Sequence, residues 1–435
     1  MGSDMTSIIP GEPSNARPPG DSSAAPTTGI EDYQWLVSPQ AERWLDVAAG
    51  ADAKSLVRLT LSLRKDLGPA RTHLVIAQAE LRRRAHIKFQ HAARMFFTRQ
   101  LLEQATDETV AAYKAQRMSA GERLADLCCG IGGDLIAMAH QGSVVGIDRD
   151  PVAVVLAQAN CRAAGVADAD VQLADASASC VESYFAWHAD PDRRPEGKRT
   201  TRVEVHEPDL AALERLLSRN RNAALKLAPA ANLPEAWMET AELEWIGNRG
   251  ECRQQLVWFR ELARHPGRRK ATVFVPELAE PRTILGDAGL EIAPTESLGR
   301  YVFEPHAAVL AADLTGVLAN AHGLNCVSPG IAYLTGDRHI SDPVLACFEI
   351  TEVLPLDPKH LRDAIRDRGI GNLEVKKRGV KIDPEEVRKQ IHPRGDRAAT
   401  LIITPVKKKI MAILAQRVGA VAAGEHPASD AGGAG

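Results

Sequence analysis

The run Ala-Asp-Leu-Cys-Cys-Gly-Ile-Gly-Gly-Asp-Leu from Ala125 to Leu135 has the plainest chemical character in this 435-residue chain. A glycine turn between a short apolar run and a helical one lets a ligand approach backbone N–H groups at a helix start. Two more acids fall in phase with it. Asp126 precedes the turn, Asp148 ends the next apolar run 22 residues later, and Asp175 ends the one after that. At the carboxyl ends of parallel strands, all three would face one ligand lying across those ends. A pyrophosphate in the turn would meet Asp126 and Asp134, and like charges that close cost on the order of several kcal/mol at an effective dielectric constant of about 20. A dinucleotide is therefore disfavoured, and a cation-bearing nucleoside without phosphate is favoured.

S-Adenosyl-L-methionine has that character, with a sulfonium, an ammonium, two ribose hydroxyls and an adenine amine. On this reading Asp126 stands near the ammonium, directly or through water. Asp148 accepts from both ribose hydroxyls, and Asp175 accepts from the adenine amine. Each such charged hydrogen bond contributes about 1.5–3 kcal/mol. The expected cofactor set is Asp126, Cys129, Gly130, Gly132, Gly133, Asp148, Arg149, Asp175 and Ala176.

The residues 126–133, followed by Gly146-Ile147-Asp148-Arg149-Asp150-Pro151, resemble the first two motifs of class I S-adenosylmethionine-dependent methyltransferases. The D-x-x-C-G-x-G-G form looks like the trimethylguanosine synthase branch. From about residue 32 to 417 the chain also looks like bacterial methyltransferases with a C-terminal THUMP-like domain, the Leu-Glu-Gln-Ala-Thr of 102–106 and the Lys-Lys-Arg-Gly of 376–379 being the marks outside the core.

Asp190-Pro191-Asp192-Arg193-Arg194 follows the fourth apolar run, where related RNA and DNA methyltransferases place the motif facing the methyl acceptor. Amine-methylating members carry D/N-P-P-aromatic there. This chain keeps the first two residues and has Asp192 and Arg193 in place of Pro and the ring, although an Arg guanidinium also lies over a base. Asp190, Pro191 and Asp192 are thus the catalytic candidates, Asp190 orienting or deprotonating the nucleophile. Arg193, Arg194, Lys198 or Arg199 would contact phosphate. A polar turn followed by a basic loop is the competing reading. Cys252 is the one cysteine placed for a covalent route, without a Pro-Cys pattern to support it.

These residues need a parallel sheet to position them, and the sequence supplies one. Apolar runs at 124–127, 144–147, 171–174, 185–188 and 224–227 alternate with helical stretches at 134–140 and from Pro151 to near Gly165, as in a doubly wound sheet. Runs at 242–246 and 254–259 flank Asn248-Arg249-Gly250, a hairpin signal. Dinucleotide-binding sheets usually lack that hairpin. Ahead of the sheet, Ser38-Pro39 opens a helix, and Leu56, Leu59, Leu63 and Leu67 recur at helical spacing. Leu74 to Ala85 forms another helix, residues 95–104 a further one, and Thr106 caps a last one. Asp357-Pro358 and Asp383-Pro384 open two helices near the end, among strands at 373–382, 400–404 and 410–414.

The fold class expected is α/β: a Rossmann-like class I methyltransferase core with a helical N-terminal region and a small α+β C-terminal THUMP-like domain. The boundaries expected are a disordered leader over 1–30, helices over 31–119, the core over 120–276, a bridging segment over 277–350, the basic domain over 351–418 and a loose tail over 419–435. Twenty of the first thirty residues are Gly, Ser, Pro, Ala or Thr, too few apolar groups to offset ordering entropy.

Net charge is −3, unevenly spread: residues 359–417 hold sixteen Lys and Arg against seven Asp and Glu, a local +9 that leaves −12 elsewhere. Such asymmetry points to a polyanionic partner for that end. Lys376, Lys377 and Arg378, with Lys381 and Lys407 to Lys409, are the candidate RNA contacts. About five phosphate contacts to single-stranded or folded RNA predict roughly a hundredfold loss of affinity over a fourfold rise in salt. The seven cysteines show no metal-ligand spacing and an odd count, so reduced thiols, no metal and a cytoplasmic setting are expected. No apolar stretch approaches the ~18 residues of a membrane span. Together these lead to a methyltransferase acting on a base nitrogen of tRNA or rRNA. A small-molecule or protein methyltransferase, and a non-catalytic RNA-binding protein retaining the fold, are the rivals; oligomeric state is open.

Overall fold

The computed structural model describes residues 28–52, 55–166, 169–193, 200–407 and 409–419. Arg194, Lys198, Arg199 and Lys408, the leader up to residue 27 and the tail beyond Gly419 lie outside the described residues. The chain divides into two compact units at residues 84 and 85.

The first unit holds α1 (Ile30–Leu36), α2 (Pro39–Ala49) and α3 (Leu56–Ala85). Pro39 opens α2, where its missing N–H costs nothing. The two helices expected from 56 to 85 are present within α3 and meet at a kink. Gly68 takes φ 72° just before Pro69, which breaks the hydrogen-bond ladder and turns the axis. Leu63, Leu74 and Leu81 are buried, while Arg83 and Arg84 reach solvent.

The second unit begins with α4 (Arg99–Gln104) and α5 (Glu108–Ala115). The helix expected from residue 95 starts four residues later. Thr98 is extended and its hydroxyl accepts the Leu101 N–H at 3.2 Å, so it caps α4, and Met95 and Phe97 pack as buried coil. The cap expected at Thr106 is also displaced. Asp107 caps α5 instead, accepting from Thr109 N–H at 3.1 Å.

Thirteen elements then build the first sheet: β1 (Leu124–Leu127), α6 (Gly133–Ala139), β2 (Val144–Asp148), α7 (Pro151–Ala163), β3 (Asp170–Leu173), β4 (Ala186–Ala189), α8 (Leu210–Arg219), β5 (Ala223–Leu227), α9 (Glu235–Thr240), β6 (Glu242–Asn248), β7 (Glu251–Trp258), β8 (Arg269–Phe274) and β9 (Arg282–Gly286). Strand order is β3-β2-β1-β4-β5-β7-β6-β8-β9. β1 to β5 are parallel, and β7 runs antiparallel between β5 and β6. The order reverses between β1 and β4, so a crevice opens there at the strands' carboxyl ends. Every residue of β1, β4 and β5 is buried, because helices cover both faces. Val110 and Ala115 of α5 join Leu135, Met138 and Ala157 on one face. Leu213 and Leu216 of α8 join Trp187 and Leu225 on the other. In the hairpin turn Arg249 and Gly250 both have positive φ, 54° and 79°, which matches the strand twist.

The second sheet follows from β10 (Tyr301–Pro305), α10 (Ala307–Ala311), α11 (Thr315–His322), β11 (Asn325–Cys326), β12 (Leu334–Gly336), β13 (Leu345–Pro355), α12 (Pro358–Asp367), β14 (Ile370–Lys377), α13 (Pro384–Ile391), β15 (Arg397–Val406) and β16 (Lys409–Val418). Its order is β11-β12-β10-β13-β16-β15-β14. The segment 277–350, expected as a bridge, is shared out: β9 extends the first sheet, and β10 to β12 with the start of β13 join the second. Asp357 and Asp383 cap α12 and α13 ahead of their prolines, accepting from His360 N–H at 3.0 Å and Glu385 N–H at 2.9 Å. The strand expected over 373–382 ends at Lys377, since Gly379 at φ 72° turns the chain away.

Candidate active site

A cavity of about 670 Å³ opens at the crevice between β1 and β4. That is the size of a small-molecule site. Asp126, Cys129, Gly130, Gly133, Asp148, Arg149, Asp175 and Ala176 of the expected cofactor set line it, as do Asp190, Pro191, Asp192 and Arg193. Gly132 lies behind the wall, its left-handed φ of 88° setting the entry to α6. Gly130 also has positive φ, 55°, and a Cβ there would meet nothing within 4 Å, so its bare face is left for a ligand. Gly146 on β2 is required by packing. A Cβ would stand 2.7 Å from Leu135 Cδ2 and 3.2 Å from Cys129 Sγ.

Asp148 stabilises the turn from beneath. Its Oδ2 accepts Gly130 N–H at 2.8 Å and its Oδ1 accepts Asp150 N–H at 2.9 Å. Burial raises its carboxyl above the usual range, opposed by those two N–H groups. Lone pairs remain on both oxygens for a ribose diol. Asp175 is exposed and accepts Ser177 N–H at 2.8 Å, the hydrogen bond that lowers its pKa. Arg149 turns to solvent and pairs with Glu207, on the segment after β4.

Asp126 is deeply buried and belongs to a network absent from the sequence reading. His188, beside it on β4, meets Asp126 Oδ1 through Nδ1 at 2.7 Å and Lys114 Nζ through Nε2 at 3.3 Å. An ammonium only donates, so Nε2 accepts and the ring proton sits on Nδ1, donated to Asp126. Lys114 also pairs with Asp134 Oδ1 at 2.5 Å, and Thr106 Oγ1 donates to Asp134 Oδ2 at 2.6 Å. Burial pushes the Asp134 carboxyl up, but the Lys114 ammonium, with Lys226 behind it, outweighs burial and holds it below the usual range. Burial raises Asp126, with His188 opposing. Asp134 is therefore matched by a cation, and the like-charge argument against a phosphate rests on Asp126 and Asp148. Asp126 Oδ2, buried and without a hydrogen-bond partner among the described residues, is the atom suited to an ammonium. With Asp148 for the ribose and the open face of Gly130, the residues fit S-adenosyl-L-methionine.

At the other end of the cavity Asp190 continues β4, its N–H bonded to Leu127 O at 3.2 Å. Its Oδ2 pairs with Lys226 Nζ at 2.5 Å. Lys226 also donates to Gln104 O at 3.1 Å, and Gln104 Nε2 donates to Asp192 Oδ1 at 3.2 Å. Asp192 is backbone-paired with Glu207, at 2.8 and 3.0 Å, and Arg193 O accepts Thr200 N–H. The Leu-Glu-Gln-Ala-Thr stretch thus walls the site. One legible sign was passed over: a lysine in Ala-Ala-Leu-Lys-Leu, a run otherwise apolar on both faces. His188, Lys114 and His206 gave no signal, because only strand pairing and helix packing bring them near. Cys252 is pushed up to about 12 by burial and does not line the cavity, which leaves it no thiolate at neutral pH.

The basic triplet divides across the second sheet. Successive side chains alternate faces. Lys376 pairs with Glu304 at 2.8 Å and Glu374 at 3.3 Å, Arg378 reaches Glu304 at 3.5 Å, and both stand over aromatic rings, Phe348 and Tyr333. These two are ion-pair partners of Glu304 within the second sheet. Lys377 is exposed and, among the described residues, has no ion pair. None of the three reaches the cavity.

Among the described residues no helix is long and apolar enough to cross a membrane. The family model for RNA cap guanine-N2 methyltransferase matches residues 121–184, and the THUMP domain-like model matches residues 345–417. Two uncharacterized S-adenosylmethionine-dependent methyltransferases of Mycobacterium tuberculosis, strains CDC 1551 and H37Rv, are each 32% identical over 314 residues, 71% of this chain and 84% of theirs. A proposed methyltransferase from Porphyromonas gingivalis W83 has a crystal structure with TM-score 0.72 and 21% identity, covering 89% of this chain and 99% of that one, which shows a shared fold. The glycine turn and parallel strand order, together with 32% identity to those relatives over 71% of this chain, make it a member of the class I S-adenosylmethionine-dependent methyltransferases, with a THUMP-like domain at its C-terminal end.

Proposed function

We propose that this methyltransferase modifies a base nitrogen in structured RNA, a tRNA or an rRNA. The observation that carries the reading is one cavity that joins the cofactor turn at Gly130 to Asp190-Pro191-Asp192 at the end of β4. When bound, the cofactor supplies an electrophilic methyl on sulfonium. Asp148 and Asp126 Oδ2 hold its ribose and ammonium, and Asp190 holds the acceptor nitrogen in line with the methyl, so that rate is gained by orientation. Arg193, half-buried at the cavity edge, lies over the base or meets a phosphate. Partial matches to an RNA methyltransferase model and a THUMP-like model support an RNA acceptor. The test is transfer of labelled methyl groups to RNA from a deletion strain, followed by nucleoside mass spectrometry. Transfer to no RNA class, with transfer to another fraction of the same cells, refutes the reading.

A second reading, a protein or small-molecule acceptor with the second sheet serving assembly, is favoured by one observation. Lys376 and Arg378 are already paired with Glu304, which reduces the cations left for phosphate. RNA binding that ignores salt, or none at all, selects it.

A further inference from the structure

Lys226 has no place in the established chemistry, and the fold alone does not call for it. It sits on β5 in a strand buried on both faces, where an unpaired ammonium costs several kcal/mol on the order expected for buried ions. Its contacts are Asp190 Oδ2 at 2.5 Å and Gln104 O at 3.1 Å. Asp190 Oδ1 has no hydrogen-bond partner among the described residues, and Asp190 lines the cavity while Lys226 does not. Lys114 from α5, Cys128 from the turn after β1 and His206 from the segment after β4 lie within electrostatic reach of the carboxylate. Among the described residues, Lys226 is the one cation that pairs with it.

We infer that Lys226 is a positioning residue that occupies one oxygen of Asp190 and fixes the orientation of the carboxylate, so that the other oxygen selects an acceptor nitrogen bearing an N–H, an exocyclic amine. This rests on the reading of Asp190 as the acceptor-side group. An ionised carboxylate only accepts hydrogen bonds. It attracts an amine and repels the bare lone pair of a ring nitrogen that carries no hydrogen. In the transfer, the amine nitrogen forms a bond to the methyl carbon as the C–S bond breaks and its electron pair stays on sulfur. The nitrogen, now cationic, gives one proton to Asp190 Oδ1, which passes it to solvent.

The test compares wild type with Lys226→Met, Lys226→Arg, Asp190→Asn and the double variant Lys226→Met/Asp190→Asn. Labelled methyl transfer to RNA, protein and small-molecule fractions of a deletion strain is followed, with S-adenosylhomocysteine affinity measured by calorimetry. Expected for Lys226→Met is a fall in kcat of roughly tenfold to a hundredfold, the range of one hydrogen bond to a charged group, with homocysteine-product affinity within about twofold of wild type. The loss falls on kcat and not on the KM for S-adenosyl-L-methionine. Lys226→Arg restores kcat, and the double variant is no slower than Asp190→Asn. The methylated product is an exocyclic amine. Wild-type kcat in Lys226→Met, or loss of cofactor affinity in step with turnover, overturns the inference. So does a product methylated on oxygen, sulfur or a ring nitrogen without hydrogen. An amine product found only outside RNA leaves the inference standing and refutes the RNA reading.

Discussion

Lys114→Met should remove the cation that matches Asp134. The side chains of Lys114 and Asp134 are 3% and 9% exposed and meet at 2.5 Å. Breaking a buried pair by removing one partner costs about 3–5 kcal/mol, since the remaining charge is left uncompensated. Thr106→Val removes one hydrogen bond to the same carboxylate and should cost about 1.5–3 kcal/mol. The pH dependence separates charge from packing. In the wild type Asp134 is held below the usual carboxylate range, so its contribution is present above its unfolded pKa near 4 and is lost as pH falls through the folded one. Without Lys114 burial dominates and the folded pKa rises above the unfolded value, which inverts the sign. The variant should then lose stability as pH rises from about 4. Urea unfolding followed by the fluorescence of buried Trp187 and Trp258 measures both curves. A gap between the proteins below about 1 kcal/mol at pH 7, or one that does not narrow towards pH 4, refutes the argument.

Asp148→Ala takes away the acceptor for the ribose and for Gly130 N–H, and should weaken S-adenosylhomocysteine binding by roughly tenfold to a hundredfold in calorimetry. Gly146→Ala places a Cβ 2.7 Å from Leu135 Cδ2 and should lower the urea midpoint, an overpacking cost of about 1–3 kcal/mol. Lys376→Ala should reduce stability by freeing Glu304 and leave the salt dependence of RNA binding unchanged, whereas Lys377→Glu should weaken RNA binding evenly across sequences. Lys88 donates to the carbonyls of Leu102, Glu103 and Ala105, and burial first, then Lys226, pulls its ammonium down to about 8. Its unfolded form binds more protons between about pH 8 and 10.5, so stability should rise with pH there, and Lys88→Met should flatten that rise.

The cofactor end of the site was legible because its signals are local. A strand, a tight glycine turn, a helix start and an acid at each strand end all lie within a few bonds of one another, so residue types and spacing specify them. Asp126, Asp148 and Asp175 could be named from that pattern, and five strands with the hairpin could be placed. The start of α4 and the cap of α5 were misplaced because Thr98, Thr106 and Asp107 can all cap, and only packing chooses. Thr106 is withdrawn to bind Asp134.

The basic triplet shows a different limit. Its charge is visible in the sequence, but strand alternation sends Lys377 to one face and Lys376 and Arg378 to Glu304 on the other. Composition and motif spacing were enough to point to a ligand cavity at the carboxyl ends of a parallel sheet. Which charges cancel, as with Lys114 and Asp134 or Lys226 and Asp190, came from pairs 20 and 36 residues apart, because burial and Coulomb energy depend on distances in space that no local pattern encodes.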